Sequence, residues 1–256
     1  MPEINCAERA GVGHDGRPRP TEDRIVLLSN AVVLLDGATS PTPRERDGGW
    51  HSRHLAAELT TTTALDGDLA DALAAAITRL RDRFDLIPAD SPSSTVAALR
   101  WTDDTVDALV LADSPIVVFT DRGHEVVSDD RLVRAHRNPG RIEEWRNRDG
   151  GFWVARAEPE AAHRAVRRSW PRAEVRAVLI ATDGVSCGVD DYHLFDWPEV
   201  LEITAEKGPE AVLDAIRAAE EGDPEHLRWP RRKTHDDQAF AVIVFTPPAE
   251  PRKSPE

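Results

Sequence analysis

The sequence contains very little cysteine: Cys6 and Cys187 are its two thiols among 256 residues. Two cysteines are too few for a disulfide framework or a four-cysteine zinc site, and they suit a reducing compartment. Long apolar runs are missing as well, since segments such as AVVLL at 31–35 fall far short of the roughly 18 residues that a membrane span needs. The first ten residues show no basic start followed by an apolar stretch, as a signal peptide would. We therefore expect a soluble, cytoplasmic protein without membrane contact.

Positive charge is scarce too. The 32 Lys and Arg residues face 46 Asp and Glu residues, which gives a formal net charge of −14 at pH 7. General binding to a nucleic-acid backbone requires a basic surface, so this balance argues against nucleic acid as a partner. Three of the cations are lysines, Lys207, Lys233 and Lys253, and the others are arginines. The basic stretch RWPRRK at 228–233 indicates either a solvated loop or a contact for a phosphoprotein.

The composition is that of a globular protein. Hydrophobic residues make up 40% of the chain, and a chain of this length buries enough surface to fold without a disulfide or a structural metal. We expect one domain over residues 1–246. The Pro-rich, charged segment PPAEPRKSPE at 247–256 has the composition of a disordered tail. Nothing in the pattern indicates an oligomeric state.

Short apolar segments separated by turn residues predict groups of strands and helices. Two segments at 24–29 and 31–36, divided by Ser29-Asn30, predict a β-hairpin. Four apolar segments between residues 94 and 128 follow one another through tight turns, which predicts an antiparallel meander. Further strands are expected at 175–182 and 238–245, and helices at 51–64, 68–84, 159–168, 197–205 and 208–221. This order predicts an α+β sandwich with helices outside antiparallel sheets.

Asp-Gly occurs six times, but only two of the six stand at the end of a long apolar strand, at Asp36 and Asp183. A rigid strand holds such a carboxylate in place, and the glycine allows close approach of backbone or ligand. An isolated Asp-Gly is more often a simple turn. Further acidic residues flank predicted strands: Glu22, Asp23, Asp113, Asp236 and Asp237. Five or six of these seven carboxylates can therefore collect at the strand ends.

Carboxylates without cysteine or an obvious histidine partner are the ligands of a hard cation such as Mg²⁺ or Mn²⁺. Two such ions roughly 3.5–4 Å apart can activate water and stabilise both oxygens of a phosphoryl displacement. Other phosphate-handling sites do not fit the sequence. It has no GxxxxGK[ST] loop. A haloacid dehalogenase needs an Asp two residues before the Asp of its Asp-Gly pair, and Leu34 and Ala181 occupy those positions.

Six blocks of the sequence, five of which carry the acidic residues, together resemble the metal-dependent protein phosphatase 2C family, of the bacterial serine/threonine type. The blocks are TEDRIVL (21–27), VVLLDGATS (32–40), PSSTVAAL (92–99), LADSPIVVFTDRG (111–123), LIATDGVS (179–186) and HDDQAFAVIV (235–244). The resemblance spans residues 10–246. It implies a four-layer α/β/β/α sandwich with two central antiparallel sheets flanked by helices. It also implies that a metal-bridging hydroxide hydrolyses phosphoserine or phosphothreonine on a phosphoprotein substrate.

The resemblance implies roles for the acidic residues. Asp36 would bridge two Mn²⁺ or Mg²⁺ ions, and the carbonyl of Gly37 would bind one of them. Asp183 and Asp236 would hold the other ion, so that these two residues and Asp36 form the catalytic centre.

Three other acidic residues are given lesser roles by the resemblance. Glu22 and Asp23 would act largely through waters, and Asp113 matches the aspartate of a possible third, weak metal site. The arginine that binds phosphate in the family stands four residues before the position of Glu22, where the present chain has Pro18. Arg17 and Arg19 flank that proline and are both candidates for phosphate binding.

The sequence also departs from the family at two other positions. Ala38 follows the first Asp-Gly, where the family sometimes has a histidine proposed as general acid, and Ala112 replaces the usual glycine before Asp113. These departures leave open an alternative, a catalytically weak phosphatase-like module that binds a phosphoprotein partner. A phosphatase for small metabolites is a further alternative. The complete set of metal carboxylates favours an active enzyme.

Overall fold

Two antiparallel sheets of five strands each form the centre of the computed structural model, which describes residues 1–13, 15–40, 44–61, 65–135 and 142–245. The expected disordered tail, 247–256, lies outside the described residues. Sheet I contains, in spatial order, β1 (Glu3–Arg9), β10 (Gln238–Val244), β9 (Val175–Ala181), β6 (Ile116–Thr120) and β7 (Gly123–Val127). Sheet II contains β2 (Arg24–Leu28), β3 (Ala31–Leu35), β4 (Val96–Trp101), β5 (Thr105–Leu111) and β8 (Val166–Pro171).

The longer helices lie on the outer faces of the two sheets. Sheet II is covered by α1 (Gly48–Thr60) and α2 (Leu69–Phe84), and sheet I by α5 (Asp183–Asp190), α6 (Trp197–Lys207) and α7 (Glu210–Glu221). The short helices α3 (Arg131–Ala135) and α4 (Ile142–Trp145) follow β7. Helix α1 begins where the Asp47 carboxylate accepts a 2.7 Å hydrogen bond from the Trp50 amide, which satisfies a free helix donor. None of the described helices is long and apolar enough to cross a lipid bilayer.

Apolar side chains fill the three spaces between the four layers. Leu34, Ile180 and Ile243 belong to the cluster between the sheets. Val33 and Leu35, which flank Leu34, point to the opposite face because side chains alternate along a strand. They pack with α1 and α2. A third cluster joins sheet I to α5, α6 and α7. The predicted four-layer α/β/β/α sandwich is confirmed.

The predicted hairpin is also confirmed, since β2 and β3 pair on either side of Ser29-Asn30. The prediction of a single meander between residues 94 and 128 is wrong. Strands β4 and β5 pair within sheet II, whereas β6 pairs with β7 and β9 in sheet I. The chain crosses between the sheets at residues 112–115, where Ala112 has a φ of +71° and Pro115 has no amide hydrogen for the ladder. Strands β4, β5 and β6 are largely apolar, so their pattern does not indicate which sheet each one joins.

Two expectations at the sheet edges need correction. The helix expected at 159–168 is a 3₁₀ turn, Pro159–Arg164, followed by β8. Residues from Val166 onwards pair with the edge of β5, and this pairing overrides local helix preference. Strand β1 was not expected, because its residues are mostly exposed or half-buried and give a weak apolar pattern. It is an edge strand that pairs along its length with β10.

The layer between the sheets predicts the effect of a core truncation. Leu34→Ala should lower the free energy of unfolding by about 3 kcal/mol, because it leaves a cavity in a fully buried layer. Its control is Leu27→Ala on the neighbouring strand β2, where the side chain is 55% exposed and the loss should stay below about 0.5 kcal/mol. Urea denaturation followed by circular dichroism measures both. Equal losses would show that this layer does not dominate stability.

Candidate metal centre

Carboxylates from separate parts of the chain meet at one end of the sandwich. Asp36 directly follows β3, Asp183 begins α5 just after β9, and Asp236 lies two residues before β10. Burial raises the pKa of Asp36 well above its usual range, and so do the nearby charges of Asp183, Asp23, Asp236 and Asp113. The structure therefore brings together the acidic residues singled out from their strand ends.

The two strand-end Asp-Gly pairs need glycine because other backbone segments pass close by. A β-carbon on Gly37 would collide with the backbone of Gly48 at the start of α1 and would lie 2.9 Å from the Glu22 carbonyl oxygen. The Gly37 amide donates to that same oxygen at 3.2 Å. A β-carbon on Gly184 would overlap the carbonyl of Asp237. These close approaches hold the segments that carry Asp36 and Asp183 against the other acidic segments.

Asp23 offers a free acceptor within this cluster. The Thr182 hydroxyl donates to Asp23 Oδ2 at 2.8 Å and accepts from the Ala239 amide at 2.9 Å, so it ties β9 and β10 to the residue before β2. The other oxygen, Asp23 Oδ1, is buried and has no hydrogen-bond partner within the described part of the chain. Burial and the charge of Asp237 raise the pKa of Asp23 well above its usual range. A cation or a water bound there would satisfy this oxygen.

Arg19 lies inside the cluster and Arg17 lies outside it. Arg19 forms ion pairs with Glu22 Oε2 at 2.7 Å and with Asp237 Oδ2 at 2.6 Å, and its side chain is 19% exposed. The Arg17 side chain is 85% exposed and lies 3.9 Å from the Asp15 carboxylate. Of the two arginines that the sequence left open, the structure brings Arg19 to the acidic residues.

Asp237 organises this part of the centre, a role that the sequence did not assign. Its Oδ1 accepts from the Gly11 amide at 2.7 Å, and its Oδ2 accepts from Arg19 and, at 3.2 Å, from the Glu22 amide. It is almost completely buried. The only sequence signal was its place beside Asp236 before an apolar strand.

A lysine also enters the cluster, which the sequence did not predict. Lys233 Nζ lies 2.5 Å from Asp236 Oδ1, and the lysine side chain is 11% exposed. Burial lowers the pKa of Lys233, but the charges of Asp236, Asp36 and Asp183 outweigh burial and raise it. The basic stretch at 228–233 is therefore not only a solvated loop, because its last residue points into the acidic centre.

Asp113 lies at the crossing between the sheets. The positive φ of Ala112 explains why a glycine suits this position. The Ala112 amide donates at 3.2 Å to Asp129 Oδ2, which also pairs with Arg131 at 2.6 Å. Burial raises the pKa of Asp113 to about 6, and the charges of Asp129 and Asp236 act in the same direction. Asp129 is thus a second buried acid near this position that the sequence analysis did not single out.

The donor chemistry fits a hard divalent cation. Burial and the charges of Asp236 and Asp113 raise the pKa of Asp183, and a bound cation would oppose both effects by favouring the ionised carboxylate. All the donors are oxygens, as Mg²⁺ and Mn²⁺ prefer. Among the described residues, no three acidic, histidine or cysteine side chains are already arranged to hold an ion. Binding a metal would therefore require these side chains to rearrange, and Asp236 is paired with Lys233.

A family comparison covers most of the chain. The family model described as protein phosphatase 2C matches residues 10–216. The chain belongs to the protein phosphatase 2C family. The matched part contains Asp36, Asp113 and Asp183, whereas Asp236 and Lys233 lie beyond its end. A search of curated proteins found no match.

Solved phosphatase structures share the fold. The catalytic domain of the serine/threonine protein phosphatase PstP, in complex with two manganese ions, is 15% identical, with a TM-score of 0.60 over 95% of this chain and 97% of that one. Stp1 from Staphylococcus aureus is 15% identical, with a TM-score of 0.61 and 96% of each chain covered. PppA, a regulatory component of the type VI secretion system of Pseudomonas aeruginosa, is 17% identical, with a TM-score of 0.59 over 95% and 97% of the two chains. These likenesses confirm the 2C-type sandwich.

Because the pKa of Asp113 is raised, replacing this carboxyl by a neutral amide should stabilise the protein at high pH but not at low pH. A carboxyl with a raised pKa holds its proton more tightly in the folded state, so its contribution to stability is lost as the pH rises from 3.8 through about 6. In metal-free protein, Asp113→Asn should match the wild type near pH 4. Near pH 7.5 it should be more stable, on the order of 2 kcal/mol.

Urea denaturation in the presence of chelator, at both pH values, measures this difference. Asp66→Asn, in an exposed loop Asp-Gly, is the control and should change stability at neither pH. A loss of stability in Asp113→Asn at both pH values would mean that Asp113 serves the turn alone.

Proposed function

We propose that this chain is a metal-dependent phosphatase that hydrolyses phosphomonoesters, with phosphoserine and phosphothreonine on proteins as its substrate class. The observation that carries the proposal is the convergence of Asp36, Asp183 and Asp236 at one end of a 2C-type sandwich. These three carboxylates come from three distant parts of the chain. A chance cluster of acidic residues on the surface would not bring such distant residues together. The two cysteines are both free, which suits action in the reducing cytoplasm.

The residues present would hold two Mn²⁺ or Mg²⁺ ions. Asp36 would bridge them, the carbonyl of Gly37 would complete one site, and Asp183 and Asp236 would belong to the other. When bound, two such ions lower the pKa of a coordinated water toward about 7 and neutralise charge on the phosphoryl oxygens. The two manganese ions of the similar PstP structure support this stoichiometry.

Three further carboxylates would assist. Glu22 and Asp23 would orient waters of the centre, and the unpaired Asp23 Oδ1 supports such a role. Asp113 would contribute to a weaker third site, since it lies near enough to Asp36 and Asp183 for their charges to interact.

Arg19 is the group best placed to bind the substrate phosphate. Its guanidinium is fixed by Glu22 and Asp237, and its buried Nε has no hydrogen-bond partner within the described residues. A planar guanidinium offers five N–H donors, so it can keep its carboxylate partners and still donate to phosphate oxygens. The general acid remains unassigned in this proposal, because Ala38 offers no proton.

The second candidate function is a phosphatase-like module that binds a phosphoprotein with little turnover. Lys233 favours it, because this ammonium neutralises the Asp236 carboxylate where a metal ion would otherwise act. The two candidates differ in one measurable property. An enzyme turns over a phosphopeptide in a metal-dependent way, whereas the module binds the peptide and leaves its phosphate in place.

The first test is hydrolysis of p-nitrophenyl phosphate and of a phosphothreonine peptide with manganese and with chelator. Activity should require the metal, and Asp36→Asn should lower kcat at least about 100-fold, or roughly 2.7 kcal/mol of barrier, because it removes charge shared by both ions. Asp183→Asn and Asp236→Asn should behave similarly. Asp66→Asn is the matched control and should retain full activity. Full activity in Asp36→Asn at saturating manganese would reject the assigned centre.

Phosphate capture by Arg19 predicts a different kinetic signature. Arg19→Ala should raise KM and lower kcat/KM at least about 10-fold, because a charge-assisted contact to the phosphate is lost. Arg19→Lys should recover only part of this loss, since an ammonium cannot form the bidentate contact. Arg17→Ala, which removes an exposed arginine two residues away, is the control. If both alanine variants keep wild-type kinetics, phosphate is held without arginine.

A further inference from the structure

Lys233 is one of only three lysines in the chain, and within the part that the structure describes it is the one that reaches the acidic centre. Its ammonium contacts Asp236 at 2.5 Å and is largely shielded from solvent. Asp36 and Asp183 lie close enough for their charges to act on it as well. A fixed positive charge therefore already lies among the three carboxylates assigned to divalent ions.

The loop that carries Lys233 is held firmly in place. Arg231, two residues earlier, pairs with Asp223 at 2.9 Å, and both side chains are nearly buried. Arg231 also donates to the carbonyl oxygens of Glu220 and Asp223, at 2.9 and 2.7 Å. The Asp223 carboxylate accepts from three backbone amides, those of Leu227, Arg228 and Trp229. The fold thus positions Lys233 from a rigid loop.

The chemistry of the contact makes the lysine and a divalent ion competitors. Lys233 Nζ and a metal bound at Asp236 would share one carboxylate group, and two cations at such short range repel each other strongly. The ammonium must therefore move away and break its ion pair before Asp236 can give its whole negative charge to a divalent ion. Lysine suits this exchange because it is a point charge on a flexible stem.

On the basis of the proposed metal centre, we infer that the Lys233 ammonium acts as a cation of the protein beside Asp236. It stabilises the metal-free centre and weakens binding of the ion that Asp236 would hold. This residue then sets the concentration of divalent metal at which the second site fills. It acts on the metal through Asp236 and is a positioning residue.

Calorimetric titration of manganese into metal-free protein tests this inference. Lys233→Met should bind the second ion at least about 10-fold more tightly than the wild type, because a repelling charge is removed. Lys233→Gln should behave in the same way, and Lys233→Arg, which keeps the charge, should stay near the wild-type affinity. Arg232→Met is the matched control, because it removes the same charge from the same loop at an exposed side chain.

Thermal denaturation supplies a second readout that needs no activity. Metal-free Lys233→Met should have a lower Tm than the wild type, because its carboxylates lose their counter-ion, and added manganese should raise its Tm by a larger amount. Equal manganese affinity in Lys233→Met and wild type, or weaker binding in the variant, would overturn the inference while leaving the metal centre intact. Absence of manganese binding in wild type and all variants would instead reject the proposed metal centre.

Discussion

The centre of this molecule depends on holding mutually repelling carboxylates together. Burial and neighbouring charge raise the pKa values of Asp36 and Asp183, so ionising them costs free energy in the metal-free protein. They cannot relieve this repulsion by moving apart, because each follows a strand whose side chains are packed between layers. Two cations of the chain oppose it, Arg19 between Glu22 and Asp237, and Lys233 at Asp236. The sandwich thus provides rigidity, and the loops provide charge compensation.

The part of this arrangement that is encoded locally could be predicted from the sequence. An apolar strand followed by Asp-Gly fixes both a rigid element and its terminal carboxylate, so Asp36 and Asp183 stand out from the four other Asp-Gly pairs. The structure explains that selection physically. Gly37 and Gly184 lie against other backbone segments, whereas Gly67, in a loop Asp-Gly, has a φ of +91° and open space where a β-carbon would stand. The Asp-Gly dipeptide thus serves two purposes. At the centre it lets another backbone segment come close, and elsewhere it forms a turn.

What the sequence did not predict depends on contacts between distant residues. The change of sheet between β5 and β6 leaves no periodic signal, because the end of β5 (108–111) and the start of β6 (116–118) are apolar on both faces. Asp237 gains its role only when the Gly11 amide, 226 positions away along the chain, reaches its carboxylate. Lys233 reaches the centre from a loop that the Arg231–Asp223 pair holds in place. Each of these features belongs to tertiary structure, and local propensity carries no information about it.

The two cations of the centre differ in a way that matches different roles. Arg19 is held on two sides by carboxylates and still has N–H groups available, so it can remain in place when a phosphate binds. Lys233 contributes one compact charge at one carboxylate oxygen, which is also the kind of contact that a divalent ion makes. Because an ion bound at Asp236 would neutralise the same charge as the lysine, the inferred competition would link the stability of the metal-free protein to its affinity for metal. A change that strengthens the Lys233–Asp236 pair would then stabilise the metal-free centre and raise the metal concentration needed for binding.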